Sequence, residues 1–224
     1  MGKSASRRNK IVNLTQTDKK GRPAKESLLA QVRQCVDNYS HVYVFLVHNM
    51  RNSFMKDVRT HWNDSRFFFG SNRVMAKALG TSIEDEYAEN LHQISEKLSG
   101  NVGIFFTNAD YEQVNTYFTE YSEKDFARGG GIATHEVVLK QGPLMRHGMN
   151  MPNNMEPMLR KLGLPTELKT GVLCLRQDYT VCKEKQTLTP EQANILKQFG
   201  IQMADFKIVL LSQWTKGGVF KSFE

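Results

Sequence analysis

The seven residues His41–Val47 (His-Val-Tyr-Val-Phe-Leu-Val) place apolar side chains at consecutive positions. A strand with that pattern has two apolar faces, so it belongs inside a sheet with cover on both sides. The cover is legible in the flanking sequence. After Pro23, residues Leu28, Leu29, Val32, Cys35, Val36 and Tyr39 recur at helical spacing. A second helix is predicted from Asn52 to about His61, burying Phe54, Met55, Val58 and Trp62. A strand over Ser65–Gly70 follows, then a helix from Asn72 to Leu79 stopped by Gly80. Glu84–Leu98 reads as an acidic amphipathic helix with Tyr87, Leu91, Ile94 and Leu98 inward. Val102–Thr107 reads as a strand, and Asp110–Tyr121 as a helix burying Val114, Tyr117, Phe118 and Tyr121. Alternating strands and helices imply an α/β (α+β) chain, a mixed sheet with helices packed on it.

The pattern changes after residue 127. Gly129–Gly131 interrupts it, and residues 142–157, with Gly142, Pro143, Gly148, Pro152 and Pro157, read as a flexible linker and long loop. Met145, Met149, Met151, Met155 and Met158 keep no strict helical period, so they read as loop anchors rather than as a partner groove. A short helix over Glu156–Leu162 and strands over Gly171–Leu175 and Tyr179–Cys182 form a small second unit. Thr189-Pro-Glu-Gln192 is a helix start, with Thr as N-cap, Pro at the first position and Gln reaching back; that helix carries Ala193, Leu196 and Phe199 inward and ends at Gly200. The strand Phe206–Leu211 is apolar enough to need burial, and the first unit has the larger sheet to receive it. The expected layout is a basic flexible arm over 1–22, a discontinuous main domain over 23–127 and 186–224, and an inserted domain over 128–185.

Charge is the second constraint. The formal net charge of +7 is matched by the first 25 residues alone, where Lys3, Arg7, Arg8, Lys10, Lys19, Lys20, Arg22 and Lys25 face a single Asp18. A basic arm on a neutral body suits a polyanion, because phosphate neutralisation releases counterions; a nuclear-import tail is a compatible reading. A second basic stretch holds Arg51, Lys56, Arg59, Arg66, Arg73 and Lys77 against Asp57 and Asp64. Residues 84–125 are the reverse, with ten carboxylates against Lys97 and Lys124. Gly70-Ser-Asn72 is a glycine turn before a helix, with Asn72 as a possible cap and Arg73 beside it, a geometry that suits a phosphate or simply satisfies a helix end.

Catalysis finds no support in the sequence. There is no G-x-G-x-x-G, P-loop, H-E-x-x-H or G-x-S-x-G, and the six histidines are scattered singly. No cofactor and no zinc site is expected. Cys35, Cys174 and Cys182 form no C-x-x-C pair and read as free core thiols in a reducing compartment. No apolar run approaches the roughly 18–20 residues that cross a bilayer, and no secretory signal is evident, so membrane attachment is not expected.

Several stretches together resemble the mRNA turnover protein four family: Asn49–Asn52, Phe68–Gly80, Met155–Pro165 with Leu168, Lys169, Gly171 and Val172, and Leu188–Ala193. These are eukaryotic ribosome assembly factors related to the stalk-base protein of the P-zero or L-ten family. The resemblance spans nearly all of residues 10–215. It implies an α/β ribosomal-RNA-binding domain with a small inserted domain. It further implies binding to large-subunit rRNA at the stalk base of pre-60S particles, beside an L-eleven-family protein, in the nucleolus and nucleus with shuttling to the cytoplasm. The stalk protein would later take the site, with a dual-specificity-phosphatase-like release factor as trigger. Carried over by position, the rRNA-facing residues are Arg51, Asn52, Lys56, Arg59, Asn72, Arg73 and Lys77; Arg66 and the arm cations join them on charge. The family's turn carries lysine where this chain has Ser71, leaving Arg73, Lys77 or the arm to supply that contact. The alternative is a mature stalk-base protein, which would continue past Glu224 with stalk-recruiting helices and an acidic tail; the sequence ends there, which favours the assembly factor.

Overall fold

A computed structural model describes residues 21–146 and 148–223. The arm cations Lys3, Arg7, Arg8, Lys10, Lys19 and Lys20 lie outside the described residues. In chain order the first unit holds α1 (Arg22–Asn38), β1 (His41–His48), α2 (Asn52–His61), β2 (Arg66–Phe68), α3 (Asn72–Leu79), α4 (His92–Glu96), β3 (Val102–Thr107), α5 (Tyr111–Glu120) and β4 (Ser122–Asp125). The second holds β5 (Val137–Leu139), β6 (Gly142–Pro143), β7 (Met145–Arg146), β8 (Met149–Asn150), α6 (Glu156–Lys161), β9 (Thr166–Lys169), β10 (Val172–Leu175), β11 (Tyr179–Cys182) and α7 (Pro190–Gln198). Then come β12 (Ala204–Thr215) and β13 (Val219–Ser222).

β1 divides its side chains between two cores, as a period of two requires. Val42 and Val44 join Val32, Val36, Met75, Leu79, Ile104, Phe106 and Trp214 under α1 and α3. Tyr43, Phe45 and Val47 join Met55, Val58, Phe105, Val114, Phe118, Phe206 and Ile208 under α2 and α5. At ~1.5–3 kcal/mol per fully buried apolar side chain, the buried residues of β1 contribute on the order of 10 kcal/mol, an upper estimate. A one-residue slip would exchange the two sets, so the register is strongly specified.

The sheet runs β13-β12-β1-β3-β2, with β4 also on β12. The α/β class holds, but strand directions do not mix: every pairing in this sheet is antiparallel. The β1–α2–β2 connection steps over a position, and β3 fills the gap running the other way. The strand expected at Phe206–Leu211 does pair with β1, and it is longer than the apolar letters alone indicated. Its register shifts at Val44/Phe45, where Leu211 is the extra residue. That bulge reverses the facing of the strand on its far side, so Phe206, Ile208 and Leu210 meet one core and Trp214 the other. Gly103 in β3 permits close approach: a Cβ there would lie 2.5 Å from Phe45 Cζ and 2.7 Å from the Phe68 carbonyl oxygen.

The expected helix over Glu84–Leu98 needs correction, since only His92–Glu96 is helical. Tertiary bonds replace its first half. Tyr87 N–H donates to the Leu79 carbonyl, Trp214 Nε1–H donates to the Glu89 carbonyl, and Asn90 turns left-handed at φ 62°. Tyr87 consequently lies exposed, while Leu91, Ile94 and Leu98 are buried as expected.

The second unit has its own core, including Ala133, Leu144, Leu159, Leu173, Val181, Leu188, Ile195, Leu196 and Met203. The expected boundary at residue 186 cuts through this cluster, because α7 packs its inner face here and not on the large sheet. α7 begins with the anticipated capping box: Gln192 N–H donates to Thr189 Oγ1, and Thr189 N–H donates to Gln192 Oε1. The expected long loop is partly structured as β6, β7 and β8. Met151 and Met155 anchor it, whereas Met145, Met149 and Met158 are exposed. Cys35, Cys174 and Cys182 are buried free thiols.

Candidate nucleic-acid interface

α1 and α3 lie side by side and start at the same end of the molecule. Arg22 and Lys25 on α1 face Arg73 and Lys77 on α3 across a groove of about 460 Å³. The four cations are exposed, and Leu29 and Val74 form the floor. The pairing follows from the sequence: α1 buries Val32 and Val36, α3 buries Met75 and Leu79, and the stripes beside those positions are left to solvent. Arg33 Nε–H donates to the Ala78 carbonyl at 3.1 Å, tying α1 to the last turn of α3. Glu26 is the one carboxylate lining the groove, and it pairs with Arg22 at 2.7 Å. Both groups are largely exposed, so the pair is worth little and yields readily to a ligand.

The turn before α3 sits under α1, with Leu28 Cδ2 3.6 Å from where a Cβ on Gly70 would be. Asn72 is not the cap. Ser71 holds that position without a side-chain bond, and Asn72 Nδ2–H donates instead to the Gly100 carbonyl at 2.9 Å. This ties the turn to the loop before β3. Ser71 itself is exposed.

On α2, Asn52, Lys56 and Arg59 fall at i, i+4 and i+7, one exposed stripe opposite buried Met55 and Val58. Arg59 joins Arg66 at the rim of a second recess of about 460 Å³ that runs beside β2. Residue 28 of α1 borders that recess and residue 29 the groove, so the two are continuous along α1.

Arg51 stands apart from these residues. Its Nε–H donates to Asp125 Oδ2, and an Nη–H donates to the Phe126 carbonyl at 3.1 Å. Arg128 donates back to the Met50 carbonyl at 3.1 Å, and Asn49 Nδ2–H donates to the Asp205 carbonyl at 2.8 Å. The Asn49–Arg51 loop therefore clamps both chain segments that cross between the two units. Lys25, which lines the groove, is the residue that reading the letters for a site missed; its spacing three positions after Arg22 on one helix was the available signal.

The polarity seen along the sequence becomes spatial. The first turns of α1 and α3 are basic, while exposed Glu84, Asp85 and Glu89 come after the end of α3. Groups with displaced pKa lie elsewhere. Burial lowers His41 and raises the Cys35 and Cys182 thiols, and burial chiefly pushes Tyr121 up to about 12. Hydrogen bonding from His92 lowers Glu86. Among the described residues no His/Cys/Asp/Glu group of three could hold a metal ion, and no helix is long and apolar enough to cross a membrane.

The family model described as ribosomal protein L10 matches residues 20–123, and that of the insertion domain in the 60S form of the protein matches residues 127–201. The second range includes α7, in agreement with the buried cluster. Ribosome assembly factor mrt4 of Neurospora crassa is 42% identical over 94% of this chain and 89% of the relative. The mrt4 protein of Dictyostelium discoideum is 42% identical over 94% of this chain and 93% of its own length. Large ribosomal subunit protein uL10 of Pyrobaculum aerophilum is 24% identical over 88% of this chain, and the match spans 55% of that protein.

Proposed function

The chain belongs to the mrt4 family of ribosome assembly factors, related to large-subunit protein uL10, and we propose that it binds large-subunit rRNA at the stalk base of the pre-60S particle. The observation that carries this reading is the basic groove between α1 and α3, which falls inside the segment matching ribosomal protein L10. Arg22, Lys25, Arg73 and Lys77 contact phosphates from two sides, and Lys56, Arg59 and Arg66 extend the contact along the same face. The part would be one of occupancy. The factor and the stalk protein share an RNA-binding fold, so one excludes the other until exchange. It acts by binding, without catalysis. An L-eleven-family protein would be its neighbour on the RNA, and a phosphatase-like factor would drive its release. Assembly places it in the nucleolus and nucleus, with exit to the cytoplasm on late particles.

The test is binding to a stalk-base rRNA fragment over a range of salt. Each phosphate contact contributes about 0.9 to the slope of log K against log salt, so the R73E/K77E double variant should lower that slope by about 2 and weaken binding strongly. An unchanged slope would remove both residues from the interface.

A further inference from the structure

β2 is the terminal strand of the large sheet. Phe67 stacks on Phe105 at 4.2 Å on one face, and Phe68 meets Phe106 edge-on at 5.7 Å on the other. The strand is thus pinned from both sides, while its outer edge carries no strand among the described residues. Along that edge runs the second recess, walled by α1 on one side and α2 on the other. Its volume falls within the ~300–1,000 Å³ usual for small-ligand sites. Arg59 and Arg66 stand at the rim, Gln31 and Asn63 present exposed amides from opposite walls, and no carboxylate lines it.

These groups differ in kind from those of the α1–α3 groove. The groove offers cations over an aliphatic floor, which positions phosphates but reads no base. The recess offers strand main-chain groups, two amides able to donate and accept, an aromatic floor and two guanidinium planes. That set suits a base turned out of a stack: amides and main chain meet its hydrogen-bonding edge, while arginine stacks on it or holds the adjoining phosphate. The recess and groove are continuous along α1, so one RNA strand can occupy both.

Resting on the RNA-binding reading above, we propose that the recess beside β2 holds a single unstacked rRNA nucleotide and supplies base recognition that the α1–α3 groove lacks. Gln31 and Asn63 are the specificity residues. The anionic strand is favoured over an acidic peptide adding to the β2 edge because that edge is only three residues long, too short for strand addition to hold a partner.

The test uses the full chain and a stalk-base rRNA fragment carrying 4-thiouridine, with photo-adducts mapped by mass spectrometry. Adducts within residues 65–70 are expected. The Q31A/N63A double variant, altered only at exposed side chains, should bind about tenfold more weakly with an unchanged salt slope, since a base contact and no phosphate contact is lost. Adducts confined to the α1–α3 groove, with full affinity in the double variant, would overturn the proposal and leave the RNA reading standing. Absence of salt-dependent RNA binding would sink both. Hydrogen-exchange protection of residues 65–70 by poly-L-glutamate but not by the RNA would assign the recess to an acidic protein strand and overturn it as well.

Discussion

Replacing Arg51 by alanine separates two roles that its sequence context confounds. In the structure it bonds to the Asp125 carboxylate and the Phe126 carbonyl, with 30% of its side chain and 14% of that of Asp125 exposed. Hydrogen bonds to charged groups contribute about 1.5–3 kcal/mol each, and breaking a fully buried pair costs about 3–5 kcal/mol. Arg51 is nearly one-third exposed, so solvent screening brings the loss to about 2–3 kcal/mol. For a chain of this size that corresponds to a Tm lower by about 4–12 °C, whereas truncating exposed Arg73 should change stability by less than about 0.5 kcal/mol. Scanning calorimetry reads the first effect and fragment binding across salt the second. R51A should melt early yet keep the wild-type salt slope. A wild-type Tm with a slope reduced by about one would return Arg51 to the RNA face and refute the clamp.

The G103A variant should lose at least about 2 kcal/mol in urea unfolding, because its Cβ would press on Phe45 and on the Phe68 carbonyl; a loss under about 0.5 kcal/mol would contradict the β1–β3–β2 packing. T189A removes one half of the capping box and should cost ~1 kcal/mol by the same measurement. Acid should destabilise the fold through carboxylates held below their ordinary range, Glu86 by His92, Glu167 by Lys169 and Asp178 by Lys140. Their folded pKa values are depressed, so the stabilisation is complete above the ordinary carboxylate range and is lost as pH falls through the lowered values. E86Q should flatten that decline in a series of melts, and an unaltered profile would discount the His92 contact.

Elements whose own letters determine them were legible. β1 and β3 declare burial on both faces, α2 and α3 carry a single apolar stripe, and Thr189 to Gln192 spells its cap. Segments governed by distant partners were not. The letters of Glu84–Leu98 are helical, but Leu79 and Trp214 take up backbone groups that a helix would have used. β4 and β13 are short, largely exposed edge strands without an apolar signature. At the interface, charge and helical spacing located Arg59, Arg73 and Lys77 correctly on an exposed face. They could not separate Arg51, whose partner lies 74 positions away, from a free cation.

The most direct test of the central claim is to purify particles on the tagged full-length protein and type their rRNA precursors and protein content. The account predicts precursor large subunits, with unprocessed rRNA and no uL10. Mature ribosomes carrying uL10 would contradict it.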